Sequence, residues 1–182
     1  MTFLSICLCS VTMKIQILID SWLTRISLLT MCVSFFFFII GFFSQYWLDG
    51  PLKIPIFPAF TFKGHVGLWR GCDETDTLCF KPKGPSWFEA TQAFETLGFI
   101  AALAALVLIV LYIFVPQTSG KRIICILSML ACFAAAGCIM LGIIIYGSKV
   151  ERNLSWSFAL CCIAGIIFGV SGVLLLIDMV KK

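Results

Sequence analysis

Only two of the ten cysteines, Cys72 and Cys79, stand in a polar stretch of the chain. Asp73, Glu74, Thr75 and Asp76 lie between them and read as a polar turn. A disulfide here would pin two neighbouring strands, and closing so short a loop is worth roughly 2–3 kcal/mol in the chain-entropy account. The alternative is a pair of free thiols in a disordered loop. Cys7, Cys9, Cys32, Cys125, Cys132, Cys138, Cys161 and Cys162 all lie in or beside apolar runs, where a thiol behaves as a small buried hydrophobe. No Cys-x-x-Cys occurs, so nothing points to zinc, to another metal or to a thioredoxin-like pair. His65 is the single histidine, and a Ser-His-Asp or Cys-His set would have to be built on it. It sits on a strand-like loop with no identifiable partner, so the chain is read as a non-enzyme without a cofactor. Asp73, Glu74 and Asp76 against Lys81 and Lys83 are charges that would tune an ion path, although charged loops are usually just solvated.

The elements that must position these residues are set by composition. Of 182 residues, 61% are hydrophobic and 12% charged, with a mean hydropathy of +1.08. Soluble domains are about half apolar and about a quarter charged, so lipid must cover part of this surface. The net charge of +4 is not gathered into a basic face, which argues against nucleic acid as a partner. Four apolar runs are long enough for a hydrocarbon core of ~30 Å, which takes ~20 helical residues. With no water to satisfy the backbone, each is read as a helix. The expected spans are 26–47, 87–115, 123–146 and 157–177, and no charged or histidine side chain falls in the middle of any of them. Transporters and proton relays generally need such a group.

Between the spans lie a first loop, 48–86, a tight turn, 116–122, and a short link, 147–156. A segment 1–25 precedes them and a tail 178–182 follows. Residues 1–13 are apolar without the basic start of a signal peptide, and are read as a short extension ahead of Met13-Lys14, with a cleaved signal as the alternative. Four crossings put both termini, the turn and the tail on one side. Lys14, Arg25, Lys121, Arg122, Lys181 and Lys182 lie there, against Lys53, Lys63, Arg70, Lys81, Lys83, Lys149 and Arg152 on the other, so the raw count does not choose. Charge density favours cytoplasmic termini, as do a disulfide on the oxidising side and the Asn153-Leu154-Ser155 sequon, a candidate for glycosylation. Within the first loop, Ile54 to Phe62 alternates apolar residues around Pro55 and Pro58, which suits an edge strand. In the bilayer, Gly165, Gly169 and Gly172 give the fourth span a face for close helix packing.

A Trp closing the first span, then Gly-Leu-Trp-x-x-Cys, then a second Cys before the next span, resembles the signature of the claudin superfamily. Here the set is Trp47, Gly67, Leu68, Trp69, Cys72 and Cys79. The resemblance covers the chain from about Ser21 onward. It implies a left-handed four-helix transmembrane bundle, all-α in class, carrying a small extracellular antiparallel sheet from the first loop and part of the second. The motif would build that ectodomain rather than contact a ligand. Claudins proper usually carry an Arg near the top of the second helix, where this chain reads Ala90-Thr91-Gln92-Ala93-Phe94-Glu95, closer to the peripheral myelin and epithelial membrane proteins. The end, Asp178-Met179-Val180-Lys181-Lys182, lacks an apolar last residue, which argues against a PDZ scaffold as partner.

The resemblance implies a protein of the plasma membrane and of cell junctions that organises contacts, adhesion or a barrier through its sheet. Its partners would be the lipid bilayer and further copies of itself, in the same membrane or across a cell gap. One alternative is an auxiliary subunit of a channel or receptor like the stargazin-like gamma subunits, and another is a claudin-type paracellular pore.

Overall fold

The computed structural model describes residues 2–53, 61–114, 122–150 and 154–181. The chain order is α1 (Thr2–Phe43), β1 (Leu48–Lys53), β2 (Thr61–Val66), β3 (Gly71–Asp73), β4 (Cys79–Phe80), α2 (Ser86–Phe114), α3 (Arg122–Lys149) and α4 (Trp156–Lys181). Among the described residues, Trp22–Phe43, Ser86–Phe114, Arg122–Lys149 and Trp156–Lys181 are long and apolar enough to cross a membrane. Residues such as Leu29, Phe36, Leu97, Ile100, Ile144 and Ile166 stay exposed on the helices, and in lipid that exposure carries no hydrophobic penalty. The protein is read accordingly as a multi-pass membrane protein.

The helix ends depart from the sequence expectation for local reasons. α1 stops at Phe43 rather than Trp47. The Ser44 amide still donates to Ile40 O, but the Ser44 hydroxyl accepts the Tyr46 amide and the Trp47 amide turns to Val66 O, so the sheet captures the backbone. α2 begins at Ser86 because Pro85 cannot donate while its carbonyl accepts from the Phe88 and Glu89 amides. Glu89 in that first turn complements the positive helix end. α4 continues through Lys181, so Asp178, expected in a tail, is a buried helical residue that accepts the Thr24 hydroxyl at 3.0 Å. The turn 116–122, apart from Arg122, and the sequon residue Asn153 lie outside the described residues, as does most of the expected 54–62 strand. Thr61 and Phe62 open β2.

The sheet is antiparallel in the order β1-β2-β3-β4. Leu48 pairs with Val66 and Lys53 with Thr61, while His65 pairs with Cys72 and Cys72 with Cys79. An isolated bridge between Leu48 and Leu154 ties the α3–α4 link to the edge of β1.

In the bundle α1 packs along α4, α4 along α3 and α3 along α2. The α1–α4 seam is laced by hydroxyls. Besides Thr24 with Asp178, the Ser27 hydroxyl donates to Ser171 O at 3.2 Å, Thr30 and Ser171 share a bond of 2.8 Å, Ser34 donates to Ala164 O at 2.6 Å, and Ser157 donates to Ser44 Oγ at 2.7 Å. Gly41 brings the two backbones together near the sheet, since a Cβ there would lie 2.8 Å from Ser157 O and 2.6 Å from Cys161 Sγ. The α1–α2 side is closed differently, by Phe99 stacked against Phe35 and Phe42. Hydrogen bonds between membrane helices average about 0.6 and reach about 1.7 kcal/mol. Ser171→Ala should therefore cost about 1 kcal/mol in an unfolding titration of the purified protein, and Gly41→Ala should cost clearly more because Ser157 O is backbone. Equal losses would show that the helices do not approach at Gly41.

Candidate functional site

The residues of the sequence signature meet where the bundle hands over to the sheet. Trp47 is fully buried, its Nε1 donates to Gly41 O at 2.7 Å, and its ring lies edge-on to Tyr146 and Phe158. Its backbone is used on both sides: the amide donates to Val66 O at 3.2 Å and the carbonyl accepts from the Ser155 amide at 3.0 Å. Gly67 lies so close to Ser44 that a Cβ would run into Ser44 O, with Gln45 Cα next at 2.7 Å. Here only glycine fits, because the obstacle is backbone. The Gly67 amide donates to Arg70 O at 2.9 Å and closes the turn from β2 to β3. Leu68 is fully buried, and its carbonyl accepts from Gln92 Nε2 on α2. Trp69 packs edge-on to Phe42 in the last turn of α1, at a centroid distance of 5.4 Å. Trp47, Gly67, Leu68 and Trp69 thus join α1, α2 and the α3–α4 link to the sheet.

Beyond this joint stands the β3–β4 hairpin. Cys72 and Cys79 are disulfide-bonded and directly paired across the strands, with Cα atoms 4.1 Å apart. The turn between them is organised by Asp73. One carboxylate oxygen accepts the Thr77 amide at 2.8 Å and the Leu78 amide at 3.1 Å, and the other accepts the hydroxyls of Thr75 and Thr77 at 2.8 Å each. Led by the Leu78 amide, these donors favour the charged form and hold the Asp73 carboxyl down at about 2. Asp76 takes a left-handed backbone, φ 55°, which swings its carboxylate back over the sheet. There Asp76 Oδ1 lies 3.0 Å from His65 Nε2 and accepts Gln45 Nε2 at 3.2 Å, while Tyr46 stacks on the imidazole at 4.3 Å. His65 therefore has the partners the sequence did not reveal. Cys72 Sγ lies with these His65 and Asp76 atoms in a group within 4.8 Å, a spacing that suits a metal, but the sulfur is bonded to Cys79 and is not a thiolate. Two of the three acids in the turn are thus engaged by the hairpin and its neighbours.

One buried acid was missed. Glu95 lies inside α2, fully buried, and neither carboxyl oxygen has a hydrogen-bond partner among the described residues. A Cβ on Gly142 of α3 would sit 2.7 Å from its Oε1. The expected span 87–115 already contained Glu95 near its start; what the sequence did not show is that its side chain turns into the bundle. Of the glycines expected to pack α4, Gly165 and Gly172 face α3 tightly, with Cβ positions 3.1 Å from Met140 Sδ and from the Phe133 ring, whereas Gly169 meets Ala136 at an ordinary 3.9 Å.

No protein-family model and no curated protein matches the sequence.

Two outcomes follow from this geometry. A depressed carboxyl supplies stability that is complete above its unfolded value near 4 and is lost as pH falls through the folded value. Exchange protection of the Thr77 and Leu78 amides should therefore hold from neutral pH to about 4 and be lost by about 2. Asp73→Ala should remove it at every pH. In the bundle, Gly142→Ala should destabilise by about 1–3 kcal/mol through overpacking. Glu95→Ala in the same chain should recover part of that loss, and purely additive costs would show that the two residues do not touch.

Proposed function

We propose that the protein is a claudin-like membrane protein with both termini in the cytoplasm, organising cell–cell contacts through its extracellular sheet. The observation that carries this reading is the joint at Trp47, Gly67, Leu68 and Trp69. It holds a small disulfide-closed sheet rigidly on the end of a four-helix bundle, and each of its residues is one that the claudin-type signature supplies. The sheet end also displays large apolar side chains: Leu78 and Phe80 are 70% and 47% exposed on the β3–β4 hairpin, and Leu154 and Trp156 are exposed by the opposite, β1 edge. Apolar groups on a rigid, otherwise polar platform are what a protein contact needs at its centre. A further copy of the chain, on the same or a facing membrane, is the partner that a junctional role requires.

The test is expression of a tagged form in fibroblasts that lack junctions. Enrichment should appear where both touching cells express the protein and be absent where only one does. Cys72→Ser, which frees the hairpin, should abolish the enrichment or the surface delivery that precedes it. Even distribution at normal surface levels would overturn the adhesive reading and turn attention to co-purifying channels or receptors.

A further inference from the structure

Arg70 precedes β3 and Lys81 follows β4, so two exposed cations flank the Gly71–Phe80 pair that ends the ladder. No carboxylate lies within ion-pair distance of either among the described residues, the one such contact there being His65 with Asp76. The acids of the same hairpin do not help, because Asp73 serves its own turn and Asp76 faces His65. Among the described residues, then, these two cations have no protein counter-charge.

Between the two cations lies an open depression of about 380 Å³ lined by Trp69, Arg70, Cys79, Phe80 and Lys81. Its position narrows the choice of anion. Trp69, one wall, packs on Phe42, and Phe42 packs edge-on to Phe43 at 4.9 Å. Phe43 is 63% exposed on the last turn of the apolar segment of α1, where side chains face lipid. A continuous row of rings thus leads from the hydrocarbon to the cations, and aromatic residues settle at this depth of a bilayer. A molecule matching both ends of the row has an acyl chain for Phe43 and a negative group for Arg70 and Lys81. A soluble anion would use only the second half.

We propose that this depression binds the phosphate-bearing headgroup of an anionic phospholipid from the leaflet beneath the sheet. Arg70 supplies a planar fork of donors for phosphate oxygens and Lys81 a point charge. The site needs no second protein; with the sheet outside the cell its lipid comes from the leaflet poorer in anionic headgroups, so binding there has to be selective.

The experiment uses the full chain in detergent micelles doped with phosphatidylglycerol or phosphatidylcholine, reading the retained lipid by native mass spectrometry. Each cation near an anionic surface is worth about fivefold, so phosphatidylglycerol should be favoured by roughly twentyfold. Arg70→Gln with Lys81→Gln should erase the preference, while the charge-keeping exchange Arg70→Lys with Lys81→Arg should keep most of it. Lys63→Gln with Lys149→Gln removes two exposed cations of the same side and should leave it intact. Equal retention of both lipids by the unaltered chain would overturn the proposal, as would equal loss in the Lys63 and Lys149 variant. Displacement by millimolar glycerol phosphate would also overturn it, by showing a site for soluble phosphate rather than for lipid.

Discussion

A backbone that leaves a transmembrane helix must find new partners for its amides and carbonyls before it reaches water, and Trp47 is where this chain does so. The last helical amide is spent at Ser44, and three residues later the Trp47 amide is taken by β2 and its carbonyl by the α3–α4 link. Unpaired backbone groups at that depth each cost several kcal/mol, so the exit route is tightly specified. The indole then fixes the direction, since its one donor reaches back to Gly41 O and its faces fill the space between Tyr146 and Phe158. The sheet's position depends on that residue, and Gly67 docks there only because it has no Cβ to meet Ser44 O and Gln45 Cα.

The two long sides of α1 are closed by opposite chemistries. Toward α4 the contacts are short and polar, with hydroxyls reaching backbone or other hydroxyls across a seam narrow enough for Gly41. Toward α2 they are wide and aromatic, with Phe99 filling what would otherwise be a cleft. Hydroxyl bonds fix register, whereas stacked rings tolerate small slides. The sheet rests on both sides, through Trp47 on the first and Trp69 on the second.

The parts of this arrangement legible in the sequence are those written in length and contrast. Four apolar runs announce four helices, and Cys72 and Cys79 stand out because they alone among the cysteines have polar neighbours. Helix ends are less legible. Trp47 continues the apolar run after the helix has stopped, and Glu95 interrupts hydropathy nine residues after the helix has begun. The hydroxyl seam leaves almost no trace, since serine and threonine blend into an apolar segment and their partners lie more than a hundred residues away. The His65–Asp76 contact depends on a left-handed backbone at Asp76 that residue type alone does not demand.

The seam between α1 and α4 also sets an order of assembly. Of the four described spans these are the first and the fourth to leave the ribosome, and Ser27, Thr30 and Ser34 find their acceptors across the seam only in α4. Until α4 is made, α1 carries a row of hydroxyls into lipid with only its own carbonyls to bond. A nascent or prematurely terminated chain therefore displays a polar stripe inside the bilayer that the finished protein conceals. That stripe is the kind of mark by which membrane quality control can tell an incomplete chain from a complete one, so the fold's last hydrogen bonds double as its certificate of completion.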